Sequence, residues 1–431
     1  MVDEPAKYPG CSGSRCFRDV ESDLKAQIAA NNKGVGLINM LIQEYGALPR
    51  SPGSLAVAKG SLAGIATVQK YMLHIRDNAE LAVRNLLKEV ASRIEGNELS
   101  AIDYLDDGTP IALKVTINAQ DGSAVFDFDG TGPEMIGNLN APMSVCYSAI
   151  IYCLRAMVDQ DIPLNQGCLV PIDVKLPECS VLSPSSTAAV VGGNVCTSQR
   201  VVDVTLRAFE ACGASQGDCN NLTFGQGGTD VEGKQIPGFG YYETIAGGSG
   251  AGPSWDGTSG VHTHMTNTRI TDPETLERRY PVILREFSLR KGSGGDGEHI
   301  GGDGVVRDIE FLEPIRCSIL SERRVHRPYG LKGGLPGESG RNIWVKQRRE
   351  SDGDVLEGDE NAARVINLGG KATVQMGKHD RIIINTPGGG GWGAPKEGAG
   401  RREHVKSHAV HSKGDPRGAA AERTTTMHEA Q

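Results

Sequence analysis

Glycine is the feature that most constrains this chain. Fifty-seven of its 431 residues are glycine. They fall in short clusters between apolar runs of strand length, with no collagen-like period and no low-complexity tract. Such clusters predict many tight turns and many places where two backbones approach too closely for a side chain. The extreme case is Gly388-Gly389-Gly390-Gly391, two residues beyond the apolar run 381–385. Four consecutive glycines are entropically costly to order. The run is therefore either a loop that hugs a ligand or a segment that crosses deep inside the fold.

Hydrophobic residues make up 38% of the chain and charged residues 23%, enough for a sizeable core. The length suits two or three domains or one large convoluted one. A net charge of −8 argues against a nucleic-acid or anionic-membrane partner. No apolar run is long enough to span a bilayer, and the first ten residues lack the apolar core of a secretory signal. The ten cysteines include no CxxC pair, so a zinc ribbon is disfavoured. Reduced, buried thiols in a cytosolic protein are expected.

Along the chain, residues 18–42 predict a helix with Leu24, Ile28, Val35, Ile38 and Leu41 on one stripe. Residues 46–64 carry Pro49, Pro52, Gly53, Gly60 and Gly64 and read as a loop or insertion. Residues 68–94 resume a helix striped by Tyr71, Ile75, Ala79, Ala82, Leu86 and Val90, and the two helices should pack antiparallel. Asp121-Gly122 between 112–118 and 123–128 predicts a hairpin. Helices follow at 144–158 and 198–213, with strand and loop at 167–177 and 181–195. From 225 to 392 the pattern is glycine-punctuated β structure, and the polar tail 396–431 reads as disordered. The expected fold class is α+β: a glycine-rich mixed β-sheet core with an N-terminal helical pair and further packed helices.

Several segments carry chemistry. Residues 261–269 hold two imidazoles, three hydroxyls, an amide and a guanidinium. As a strand, this segment would put His262 and His264 on one face, with Thr266 and Thr268 behind them. Paired imidazoles hold a metal, polarise a carbonyl or move a proton; they also occur as ordinary hydrogen-bonded histidines. Glu243 is an acid, base or ligand candidate. With the histidines it forms a recognisable metal-ligand set, although its spacing matches no standard short motif. Asp127 and Asp129 would share a strand face opposite Phe126 and Phe128, either as a cation or base site or as a solvated edge. Residues 192–200 form a glycine turn into a helix. There Thr197 or Ser198 would cap, Asn194 and Arg200 would meet an anion, and Cys196 would be either activated or simply packed. The loops 290–295 and 301–304 resemble phosphate loops but lead into no helix, so they read as hairpin turns.

These segments, in this order, resemble the C-terminal part of the ATP-dependent 5-oxoprolinase family and the B subunit of hydantoinases. The resemblance rests on residues 9–13, 23–32, 138–142, 161–167, 190–203, 241–253, 259–269, 290–304 and 386–393, and covers most of the chain. It implies a hydantoinase B-like domain over residues 1–395, interrupted at 47–65. It also implies ATP-driven opening of 5-oxo-L-proline to glutamate. In that family an A-type region binds ATP and magnesium and phosphorylates the lactam oxygen, and the B-type region completes ring opening. A phosphorylated lactam is the better electrophile. The expected partners are thus a cyclic amide, an A-type region in cis or trans and a second copy of the chain, with a divalent metal left open. The resemblance further implies that the chain starts inside the B-type region, beyond the His/Asp metal site of related carboxylases. Alone it would not hydrolyse ATP. From residue chemistry, His262, His264, Glu243, Asn194 and Arg200 are expected to line one pocket. Arg200 would bind a substrate carboxylate, and the His pair or Glu243 would transfer protons. The rival readings are a hydantoinase-type B subunit with a separate A chain and a non-catalytic assembly module.

Overall fold

A computed structural model describes residues 13–47, 61–229, 234–266, 268–347 and 363–395. Residues 48–60 of the proposed insertion 46–64, Asn267, most of segment 9–13 and the tail 396–431 lie outside the described residues, and the ends of that insertion are helical. Two long helices open the chain, α1 (Phe17–Ala47) and α2 (Ser61–Arg93). They pack against each other as expected, and each runs further toward the intervening segment than its apolar stripe. Gly64 permits the contact, since a Cβ there would lie 1.9 Å from the Ile42 carbonyl oxygen. The stripe of α1 does not become core: Ile28 is 60% and Val35 63% exposed. The stripe of α2 divides. Tyr71 and Ile75 are exposed, whereas Ala79 and Ala82 enter the first core and Leu86 and Val90 pack half-buried against it; Val83 and Leu87, off the stripe, are fully buried.

That core lies on a four-stranded sheet of β1 (Glu98–Tyr104), β2 (Pro110–Asn118), β3 (Ser123–Asp127) and β4 (Ile172–Lys175), in that order. The β2–β3 hairpin pairs Asn118 with Ser123, and Gly122 takes the left-handed conformation (φ 69°) that closes its loop. Strict alternation along β2 buries Ile111, Leu113, Val115 and Ile117 on one face. Helices α3 (Met143–Met157) and α4 (Ser198–Ala208) complete the layer. α4 stops before the expected 213 because Glu210 adopts φ 51°, a left-handed residue that ends the helix.

The second half begins with β5 (Asn221–Thr229) and β6 (Gln235–Glu243), then the short helix α5 (Pro273–Arg279) and the strand β7 (Val282–Arg290). It continues through β8 (Gly304–Phe311), β9 (Ile315–Leu320) and β10 (Arg341–Lys346) to β11 (Arg364–Asn367), β12 (Lys371–Met376) and β13 (Arg381–Asn385). Two antiparallel sheets result, ordered β11-β10-β13-β8-β7 and β12-β9-β5-β6. Their facing residues, among them Phe224, Ile309, Phe311, Ile319 and Ile384, form the second core. Residues 291–303 join β7 to its antiparallel partner β8, as the hairpin-turn reading of those glycine loops requires.

Of the two readings of the four-glycine run, the deep crossing holds. A Cβ on Gly388, Gly389 or Gly390 would lie 2.0, 1.9 or 1.8 Å from the carbonyl oxygens of Ser293, Ser249 and Tyr329. None of the four glycines has a positive φ, so space and not backbone conformation demands glycine here. The amides of Gly389, Gly390 and Gly391 donate to the carbonyls of Gly302 (2.8 Å), Ala214 (2.8 Å) and Leu335 (3.0 Å). The carbonyls of the same three residues accept from Gly295, Ala251 and Leu331. Every polar backbone group of these three glycines is thus used inside the protein.

Cys146, Cys153, Cys168, Cys196, Cys219 and Cys317 are buried free thiols, while Cys179 is exposed. Cys179 is therefore expected to react rapidly with a thiol reagent in the native protein. Cys146, Cys153, Cys196 and Cys317 should react only on unfolding. A time course of labelling with mapped peptides checks this, and fast native labelling of Cys196 would contradict it.

Candidate functional site

The described residues of 261–268 do not form a strand. Val261 is held by a two-bond bridge to Gly247 (3.1 and 2.8 Å), after which the chain turns sharply. The Met265 amide donates to the Thr263 carbonyl at 2.7 Å, and His264 sits at φ 64°. A left-handed non-glycine residue costs of order 1–2 kcal/mol, so surrounding contacts must impose it. They are present: Gln199 Nε2 donates to the Thr263 carbonyl (3.0 Å), and the Thr244 and Thr268 hydroxyls pair at 2.8 Å.

This turn aims His264 at α3 and α4. Its Nδ1 lies 2.9 Å from the Tyr152 hydroxyl, and the two rings meet edge to face. Its Nε2 lies 3.7 Å from Asp203 Oδ1, within ion-pair range and beyond a hydrogen bond. Asp203 is fully buried; it accepts from the Ser215 amide and hydroxyl and pairs with Arg323 at 2.6 Å. Burial pushes its carboxyl up, but Arg323 and His264 more than offset this and hold it below the usual range. Burial, with Cys153, Cys212 and Asp203 nearby, pushes the Tyr152 phenol up to about 12. Tyr152 therefore stays protonated at neutral pH. With Asp203 favouring a proton on Nε2, the Tyr152 hydroxyl donates to Nδ1. The hydroxyl and imidazole are thus hydrogen-bonded, with the Asp203 carboxylate in ion-pair range behind them.

Tyr152 and His264 stand where two cavities adjoin. The smaller, about 330 Å³, is also lined by Ser144, Asn194, Ser198 and Gln199. The larger, about 870 Å³, is also lined by Phe209, Trp255, His262, Thr263 and Trp392. His262 is half-buried, its Nδ1 has no partner among the described residues, and burial lowers its pKa.

The five expected site residues thus do not converge on one hollow. Asn194 and His264 share the smaller cavity, and His262 and His264 the larger. Arg200 lies outside both. It is fully buried, with its guanidinium 3.3 Å from Asp103 and 3.3 Å from Glu322. Glu243 is also elsewhere, gripped by Arg307 at 2.6 and 2.9 Å and by the Tyr241 hydroxyl at 2.7 Å. The Glu-plus-two-His metal set therefore does not assemble. Among the described residues no group of three or more His, Cys, Asp or Glu is placed to hold a metal. The expected anion site before α4 is changed too. A π-helical turn, Gly193–Thr197, runs straight into the helix. Ser198 turns its hydroxyl to the Asn194 carbonyl and Thr197 its hydroxyl to that of Leu139. Cys196 is not activated, since burial, with Asp218 and Glu322 near, pushes its thiol well up. Asp127 accepts from the Asp129 amide (3.0 Å) and closes a turn. Local reading missed Tyr152, Asp203 and Gln199. The one available signal was a hydroxyl and a carboxylate on otherwise apolar helical faces.

A family model for hydantoinase B/oxoprolinase matches residues 59–395. The chain belongs to the hydantoinase B/oxoprolinase family. An uncharacterized protein of Schizosaccharomyces pombe is 57% identical over 398 residues, 92% of this chain and 28% of that protein. The 5-oxoprolinase 1 of Arabidopsis thaliana is 52% identical over 392 residues, 89% of this chain and 28% of that one. The chain therefore spans less than a third of the length of these relatives. The ATP-dependent caprolactamase from Pseudomonas jessenii shares the fold, with a TM-score of 0.69 over 88% of this chain and 62% of that one at 19% identity. Among the described residues no helix is long and apolar enough to cross a membrane.

Behind the site, this member of the hydantoinase B/oxoprolinase family buries a network of charges. Arg323 bridges Asp103 (2.7 Å) and Asp203 (2.6 Å). Glu322 takes Arg200 and Lys371, and Arg324 takes Asp218 at 3.1 Å. The network spans from β1 through α4 to the segment after β9, so it joins the two cores and fixes Asp203 behind His264.

Proposed function

We propose that this chain is the ring-opening part of an ATP-dependent 5-oxoprolinase, acting on a cyclic amide that an ATP-binding A-type region has activated. The observation that carries this reading is the Tyr152–His264–Asp203 chain between two cavities. Family membership and the 5-oxoprolinase relative support it. In this reading a water attacks the activated ring carbonyl carbon. It loses a proton to the Tyr152 oxygen as the tyrosine proton passes to His264 Nδ1, and Asp203 stabilises the resulting imidazolium. When the ring C–N bond breaks, the proton returns by the same route to the leaving nitrogen, and the acyl phosphate left behind is hydrolysed by a second water to the carboxylate and inorganic phosphate. No step here runs through a metal.

The test is 5-oxoproline-dependent ATP hydrolysis, measured with this chain alone and with an A-type partner added. The chain alone should be inactive and the pair active. Within the active pair, Tyr152→Phe should lower kcat by about 10²- to 10⁴-fold, the usual scale of general acid–base catalysis, while thermal stability stays near wild type. Wild-type turnover in both Tyr152→Phe and His264→Ala would favour a non-catalytic assembly module.

A further inference from the structure

The outer half of the α1–α2 hairpin is exposed, apolar and nearly free of charge. Leu24, Ile28, Val35 and Ile38 on α1 and Tyr71 and Ile75 on α2 each stand between 38% and 60% or so open to water, Val35 most of all at 63%. From residue 26 to 43 the one charged residue is Lys33, and from 61 to 75 it is Lys70. The inner part of α2, residues 76–93, joins the first core and carries ordinary surface charge, Arg76, Glu80, Arg84 and Lys88 among it. A helix face made for water would look like that inner part. At about 100° per residue, Leu24, Ile28, Val35, Ile38 and Ile42 fall within about a quarter of the circumference of α1, and Lys33 falls on the opposite side. The Ile42 backbone meets Gly64 of α2, so this stripe runs along the seam between the two helices. Two helices alone leave one flank of such a seam open.

We propose that this seam is where two copies of the chain meet, their hairpins closing into a four-helix bundle about a two-fold axis. The proposal does not rest on the ring-opening reading. A two-fold contact sets one patch against itself. An uncharged apolar stripe is complementary to its own copy, whereas a charged patch would repel it. A strongly acidic or basic partner finds no set of counter-charges on this face. The size also fits. Residues 26–47 make a helix of about 33 Å, and two helices of about 10 Å width give a face of roughly 650 Å² per copy. The pair would bury roughly 1,300 Å², within the range of about 1,200–2,000 Å² that stable specific contacts need. Asn31 falls on the same stripe, and one uncharged polar residue in an apolar seam selects a single register and assembly state.

The experiment is sedimentation equilibrium of the 431-residue chain at micromolar concentration. The expected mass is twice the 45.8 kDa of one chain. Ile28→Glu and, separately, Ile75→Glu place an unpaired carboxylate in the contact, and each should raise the dimer Kd about 100-fold or more. Both positions are exposed in the single chain, so far-UV circular dichroism should stay at the native level. A native chain that sediments as a monomer overturns the proposal. If an added A-type region then shields α1 from hydrogen exchange, the face belongs to that contact instead. A native dimer whose Kd neither variant moves places the contact elsewhere and overturns the proposal too. Should one variant fail to fold, the other decides.

Discussion

Gly390→Ala is expected to yield no soluble folded protein. The new methyl carbon would lie 1.8 Å from the Tyr329 carbonyl oxygen and 2.6 Å from its carbonyl carbon, and this neighbour is backbone that cannot rotate away. Gly390 donates to Ala214 and accepts from Ala251, so moving it breaks bonds on both sides. Overpacking a core costs about 1–3 kcal/mol when side chains can adjust. Here rigid backbone must move, and the loss should exceed about 3 kcal/mol. Gly36→Ala is the contrasting change. It lies in the interior of exposed α1 with nothing within 4 Å of a built Cβ. Alanine there should raise stability by about 0.5–1 kcal/mol. Urea unfolding of both variants checks the pair. A Gly390→Ala protein with a wild-type midpoint would refute the crossing-segment account.

Arg323→Met should be the most damaging single change among the charged residues. The wild-type guanidinium is fully buried and serves Asp103 and Asp203 together. Removing it takes the shared cation from two buried carboxylates and leaves Asp103 only Arg200 at 3.3 Å, which costs about 3–5 kcal/mol for a broken buried ion pair. The pH dependence should change with it. For Asp103, burial raises the pKa but Arg323 and Arg200 more than reverse that, and the net shift is downward, as for Asp203. Carboxyls depressed in the folded state stabilise it above the unfolded value of about 3.9, and that contribution is lost as pH falls further. The native protein should therefore lose stability steeply below about pH 4. In Arg323→Met both carboxyls rise and this acid limb should flatten. Urea midpoints from pH 3 to 8 measure it. An unchanged acid limb would show that Arg323 does not set these pKa values.

What the sequence made legible was local. The β2–β3 hairpin follows from period-two alternation around Asp121-Gly122, and β13 falls on the apolar run 381–385. Glycine cost marked 388–391 as special, but no local rule says which backbone a glycine must make room for. The site was less legible for the same reason. His264 meets Tyr152 across 112 residues, and Arg200 finds Asp103 and Glu322 across 97 and 122. Arg200 and Glu243 looked like free site charges because their neutralising partners are remote in sequence. The i, i+2 spacing of His262 and His264 suggested a shared strand face; both do line the larger cavity, but on a turn with left-handed backbone at His264 and not on a strand. That conformation is held by Gln199, itself 64 residues from Thr263.

The glycine crossing also bears on how the molecule reaches its native state. Its bonds reach back to Ala214, Ala251, Gly295, Gly302, Leu331 and Leu335, all placed earlier in the chain. During synthesis those amides and carbonyls wait, exposed to water, until residues 388–391 emerge. Loop closure over such separations is slow, and half-made sheets with open edges are prone to associate. A ribosome stalled shortly before this point would hold a product with every catalytic candidate already made and no means of locking them in place.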